Sequence, residues 1–207
     1  VERVTCPVVL IDRLTQCGWC DAVGFDNYLG GRLAAQYLLE GGHKRIGIVT
    51  GDVAESSAAD RRRGFVDAIE RAGERFDPAL CVSGDYRFDG GYHAADRIID
   101  GGATAVFCCN DVMALGFRQR MAERGLHVTE DMQVIGYDNI LRRFGLGLRM
   151  TTVEQSVVDL AAAGWGMLGS RIDAVVRGDG DSGAGRPWLA SPQVKVLTPK
   201  LVQAACA

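Results

Sequence analysis

Short apolar runs alternate with amphipathic stretches along this chain, and the alternation predicts strands joined by crossover helices. Pro7–Ile11 and Val23–Phe25 read as strands. Asn27–Glu40 follows as a helix, with Leu29, Leu33, Tyr37 and Leu38 on one face and Gly41-Gly42 as its stop. Arg45–Val49 reads as a buried strand and Gly51–Ser57 as a loop. Ala58–Ala72 is predicted helical, because Phe65, Ala68, Ile69 and Ala72 recur at helical spacing and Gly73 offers a C-terminal cap.

The unit then repeats. Strands are predicted around Leu80–Ser83, Ala105–Cys109 and Gln133–Tyr137, with helices around Gly90–Ile99 and Val112–Arg124. An irregular stretch to Met150 precedes a short strand, Thr151–Val153, and a long helix, Ser156–Arg177. An acidic loop, Gly178–Gly185, and a last strand, Val194–Val196, complete the pattern. This is the rhythm of an α/β protein with parallel sheets. Ligands of such sheets gather beyond the carboxyl ends of the strands. Asp12, the loop after Val49, Tyr86, Asn110 and Asp138 all follow strand ends, and they form the candidate cleft.

Composition narrows the function. With 207 residues, 47% hydrophobic and 24% charged, the chain has ample material for a packed core. Its net charge of −3 lacks the basic excess that phosphate neutralisation demands, which argues against nucleic-acid binding by these residues. The apolar runs are too short to cross a bilayer. The seven cysteines are an odd, scattered set, so reduced thiols are expected. Cys17-Gly-Trp-Cys20 has redox spacing, but it runs into a strand rather than opening a helix, where a dipole would lower the thiol pKa.

Several phrases, in order, carry a family resemblance. They are Pro7-Val-Val-Leu-Ile-Asp12, Asp26-Asn27 with Gly30-Gly31, Gly42-His-Lys-Arg-Ile-Gly-Ile-Val-Thr-Gly51 and Arg61-x-x-Gly64-Phe65. Asn110-Asp-Val-Met-Ala-Leu-Gly116, Val134-Ile-Gly-Tyr-Asp138-Asn139 and Thr151-Thr-Val-Glu-Gln155 follow. Together they resemble the lactose-repressor (LacI/GalR-type) family of transcription regulators. The resemblance implies a periplasmic-binding-protein-like (type I) two-lobed sensor with parallel sheets flanked by helices. It assigns 1–25 and 156–186 to an N-terminal lobe, and 26–152 and 187–207 to a C-terminal lobe. It also implies that the helix-turn-helix head and the first part of the N-terminal lobe are absent. An incomplete lobe of this kind should expose apolar surface or be poorly ordered.

The same resemblance implies site residues. Arg61 matches the family arginine, whose planar fork of donors suits vicinal oxygens; the competing role is a solvated arginine in the Arg61-Arg62-Arg63 run. Asp138 matches the family acid that accepts from hydroxyls and pairs with the arginine; the competing role is a turn aspartate. Asn110 offers both donor and acceptor to a sugar, while Asp111 reads as the N-cap of the following helix. Tyr86 falls where an aromatic stacks on a sugar or purine ring, with a core tyrosine as the alternative. Asp12 and Ser57 are further candidates, and Gln155 is expected at either the ligand or the hinge. Two departures, Gly145–Met150 in place of a proline-bearing crossover and Val157 in place of an aromatic, prevent transfer of any relative's ligand.

Gly178-Asp-Gly-Asp-Ser-Gly183 fits a dinucleotide pattern only formally, since it follows a helix and carries two acids. The three histidines are far apart in sequence, and no metal or cofactor is expected; nor is catalysis. The reading is a cytoplasmic regulator, a repressor by expectation, that takes a small-molecule effector of sugar type and works as a homodimer. Operator DNA is expected to be met only through the missing head. A sugar-binding protein of a transport system is the alternative.

Overall fold

The computed structural model describes residues 6–14, 19–143, 150–177 and 191–204. Along the chain run β1 (Val9–Ile11), β2 (Asp21–Phe25), α1 (Asn27–Glu40), β3 (Ile46–Thr50), α2 (Ser56–Arg71), β4 (Cys81–Ser83), α3 (Phe88–Asp100) and β5 (Ala105–Cys108). Then come α4 (Asp111–Glu123), β6 (Gln133–Asp138), α5 (Ile140–Arg143), β7 (Thr152–Glu154), α6 (Val157–Arg177), β8 (Val194–Leu197) and β9 (Lys200–Val202). They divide into two compact units. One comprises Asn27–Gln155 and the residues from Pro199 onward; the other comprises the residues up to Asp26 and Ser156–Thr198.

The larger unit is built on a six-stranded sheet ordered β4-β3-β5-β6-β7-β9. All its pairings are parallel except β7 with β9. Strands covered on both faces need apolar side chains at successive positions rather than alternate ones. The sequences Ile-Gly-Ile-Val-Thr of β3 and Ala-Val-Phe-Cys of β5 meet that need, and every residue in them is buried. Phe65 of α2 stacks on Phe107 of β5 at 5.3 Å, and Phe107 lies 6.1 Å from the ring of Tyr137 on β6. This aromatic line ties helix to sheet directly beneath the strand ends.

Helix α1 turns a different face inward from the one its large apolar residues predict. Asn27, Gly30, Gly31, Ala34, Ala35 and Leu38 are buried, whereas Leu29, Leu33 and Tyr37 are only half-buried. Small residues win because α1 and α2 approach backbone to backbone. A Cβ on Gly31 would stand 2.0 Å from the Arg61 carbonyl, and one on Gly64 would stand 2.0 Å from that of Tyr28. Glycine in both helices is therefore what permits the contact. Helix α2 ends as predicted at Gly73, whose φ of +81° is open to glycine and whose N–H bonds the Glu70 carbonyl.

The smaller unit is a three-stranded parallel sheet, β1-β2-β8, with α6 packed on it. Its core is modest: Val23, Phe25 and Leu160, backed by Val9, Ala163, Met167 and Leu197. Among the described residues, all the large exposed apolar side chains except Val53 and Phe88 belong to this unit, with Trp165 77% and Val176 79% exposed. At its base the buried Asp21 receives two hydrogen bonds from Arg171, each 2.7 Å long, and one from the Gln193 N–H.

Four expectations change. Residues 187–207 do not stay together, because β8 pairs with β2 while β9 pairs with β7. The strand β9 and the four-residue α5 were not expected, being too short to show a period. Helix α2 starts at Ser56, so Ser57 lies in its first turn rather than in a loop. Cys20 is disulfide-bonded, with its partner outside the described residues, while Cys6, Cys81, Cys108 and Cys109 are free. The acidic loop 178–185 and the departure at 145–149 also lie outside the described residues.

Candidate effector site

Every predicted site residue of the larger unit lies at or near a strand's carboxyl end or a helix's first turns. Arg61, in the second turn of α2, is their centre. It is only 5% exposed, so its charge and donors must be met by the protein. Nε donates to Asn27 Oδ1 at 2.8 Å, Nη1 to the Cys109 carbonyl at 2.6 Å, and Nη2 to Gln155 Oε1 at 3.4 Å. The guanidinium carbon stands 3.8 Å from the centre of the Tyr137 ring, a stacked cation–π contact, and 5.8 Å from that of Tyr86. Burial alone would lower the Arg61 pKa; Tyr137 and Asp138 more than reverse it, and the group stays charged.

Asp138, the last residue of β6, places Oδ1 3.9 Å from Arg61 Nη1. That separation is an ion pair without a hydrogen bond. A guanidinium has five N–H groups. Three are committed to Asn27, Cys109 and Gln155, which leaves one on each Nη for an incoming acceptor. Asp138 and Asn139 both hold positive φ, +96° and +58°, a conformation uncommon outside glycine.

Tyr86 follows β4 with φ of +59°. Its hydroxyl is buried without a hydrogen-bond partner. Ser57 of α2 acts on it and tends to lower its pKa, though short of proper hydrogen-bond geometry. Burial is the larger influence and raises that pKa. A buried, unmatched hydroxyl beside a guanidinium is the kind of group a polar ligand would satisfy.

Two assignments change. Asn110 is the N-cap of α4: its Oδ1 accepts from the Met113 N–H at 2.8 Å, and its Nδ2 donates to the Tyr86 carbonyl at 3.1 Å. Both ends of its amide thus serve the scaffold, fixing the Tyr86 loop. Asp111, expected to cap, instead points its carboxylate at the turn after β6. Gln155 is 8% exposed and donates to Asn27 Oδ1 at 3.2 Å and to the Tyr137 hydroxyl at 3.4 Å. It orients Arg61's partners. Asp12 belongs to the smaller unit, exposed just after β1 with its N–H on the Val23 carbonyl.

Sequence reading passed over Asn27 and Tyr137 as site residues. Both stand inside quoted motifs, and a buried arginine needs both an acceptor for Nε and a face to rest on. Among the described residues no three His, Cys, Asp or Glu side chains are grouped to hold a metal ion. None of the described helices is long and apolar enough to cross a membrane.

A two-unit α/β scaffold with a buried arginine at the strand ends defines a class of ligand-binding sensor. Residues 35–195 match the model of the periplasmic binding protein-like domain. The chain belongs to that family. It is 38% identical to the HTH-type transcriptional repressor PurR of Pasteurella multocida over 169 residues, 81% of this chain and 51% of that protein. Its identity to PurR of Haemophilus influenzae is 36% over 170 residues. The chain spans about half the length of these curated relatives. Among solved structures it resembles a LacI family transcriptional regulator from Enterococcus faecium with bound ribose (TM-score 0.82, 27% identity, 96% of this chain and 69% of that one). It also resembles the transcriptional regulator CelR in complex with cellobiose (TM-score 0.76, 28% identity, 89% of this chain and 53% of that one).

Proposed function

We propose that this chain is the effector-binding part of a transcription repressor, and that the Arg61 face of its larger unit takes a small polyhydroxylated molecule of the sugar class. The observation that carries this reading is the partly committed guanidinium of Arg61. Its two remaining N–H groups, the Asp138 carboxylate beside them and the unmatched Tyr86 hydroxyl form a donor–acceptor set suited to adjacent hydroxyls. The stacked ring of Tyr137 keeps the guanidinium flat and fixed. Ser57 borders the set from the first turn of α2. Asp12 enters the proposal through the family resemblance alone.

The repressor names of the relatives, and the ribose and cellobiose of the structural neighbours, favour a regulator over a transport protein. We further propose that contact with operator DNA is made by other parts of the full-length protein. The charge of −3 on these residues agrees with that division. Action in the cytoplasm and pairing of two copies through α4 belong to the same proposal.

The test uses the full-length regulator with a panel of ribose, cellobiose, other monosaccharides and purine bases. A binder at 100 times its Kd raises stability by about 2.7 kcal/mol through mass action, which thermal shift reads directly. Arg61→Ala and Asp138→Ala should each abolish the response of operator binding to that compound while operator binding itself survives. An unchanged response in both variants would remove the site from the proposal.

A further inference from the structure

We propose that Asp111 is a positioning residue of the effector site: from the buried first turn of α4, its carboxylate holds the turn that presents Asp138 to Arg61. This rests on the reading of Arg61 and Asp138 as the effector's contacts. The geometry asks for such a residue. Asp138 and Asn139 are consecutive non-glycine residues in the left-handed region. Each costs on the order of 1 kcal/mol or more, and such a pair persists only where its surroundings over-determine it.

Asp111 supplies the fixing from below. Its Oδ2 accepts from the Ile140 N–H at 2.8 Å, and the N–H groups of Leu141 and Tyr137 also act on the carboxylate. Its Oδ1 accepts from the Thr152 hydroxyl at 2.8 Å, which anchors it to β7. From the other side Asn139 Nδ2 donates to Glu154 Oε1 at 3.0 Å. The turn is thereby held on both flanks, and the Asp138 side chain is left facing Arg61.

Two further observations separate this role from ordinary helix capping. The cap of α4 is already made by Asn110, so a buried acid at 111 is not needed for it. Asp111 is also only 1% exposed, and burial is the largest influence on its carboxyl, raising the pKa despite the donors around it. A costly group has been admitted where the turn and its neighbour Thr152 gain. The neighbouring strand makes room for it as well. A Cβ on Gly136 would stand 2.2 Å from Asp111 Oδ1, so only glycine on β6 allows the carboxylate to lie against that backbone.

The experiment reads the turn without a ligand, by NMR of the isotope-labelled 207-residue chain. Asp111→Leu keeps roughly the volume but removes both acceptor oxygens, leaving the Ile140 N–H and the Thr152 hydroxyl without them. Amide exchange at Asn139–Leu141 should quicken at least tenfold while amides of β3 and β5 keep their protection. The Asp138 carboxyl carbon and the Arg61 Nε–H should shift together. Thr152→Val, which removes only the Oδ1 donor, should move the same resonances less, and it carries the test if Asp111→Leu fails to fold. Unmoved Asp138 and Arg61 resonances, or protection lost equally from β3 and β5, would overturn the proposal. Because no effector is added, failure here is distinct from failure of the effector reading, which the Arg61 and Asp138 variants address.

Discussion

A guanidinium taken out of water needs its donors matched, and Arg61 shows how a candidate site can be arranged around that need. Three of its five N–H groups are spent on Asn27, Cys109 and Gln155, and what is left over is directional because the rest is fixed. Tyr86 is the complementary case, a hydroxyl buried with nothing to bond. Such a group costs about 1–3 kcal/mol. Tyr86→Phe should therefore leave urea stability unchanged or raise it by up to about 1 kcal/mol, while weakening effector binding about tenfold. Loss of stability with unchanged affinity would show that the hydroxyl serves the fold.

Elements carry these residues to their places, and helix α2 does most of it. Its glycine contact with α1 brings Arg61 against Asn27. In the smaller unit the corresponding fixture is Asp21 with Arg171, joining β2 to α6. Burial would raise the Asp21 carboxyl, but hydrogen bonds from Arg171 and Gln193 and the guanidinium charge carry it below the ordinary value. The folded chain then binds fewer protons at this site than the unfolded chain does. Its contribution is fully present above about pH 4 and is lost as pH falls through the folded value. Arg171→Leu should cost about 3 kcal/mol at neutral pH by stranding a buried carboxylate. The gap between wild type and variant should narrow in urea titrations taken from pH 6 to pH 3. A gap that stays constant across that range would count against the pair.

At the scale of the whole molecule, the alternation of strand and helix was legible because parallel strands and crossover helices have distinct periods. The family motifs led to Arg61 and Asp138, one from a helix and one from a strand end, and the structure brings the two side chains within 3.9 Å. What was not legible depended on contacts across the chain. The change of roles at Asn110 and Asp111 is set by a turn 29 residues away in sequence from Asp111. The inward face of α1 is decided by a close approach between its own Gly31 and Gly64 of α2, and the division of the last strands by two different sheets.

The apolar stripe of α6 has an optical consequence. Trp165 is the most exposed indole among the described residues, and Val158 and Val176 of the same helix are also exposed. With Trp19 and Trp188 replaced by phenylalanine, its emission should resemble that of indole in water and be quenched freely by iodide. Emission at shorter wavelength, shielded from iodide, would mean that the stripe is covered in the isolated chain. Helix α6 thus carries its own gauge, and any surface that docks on it will announce itself as a change of colour.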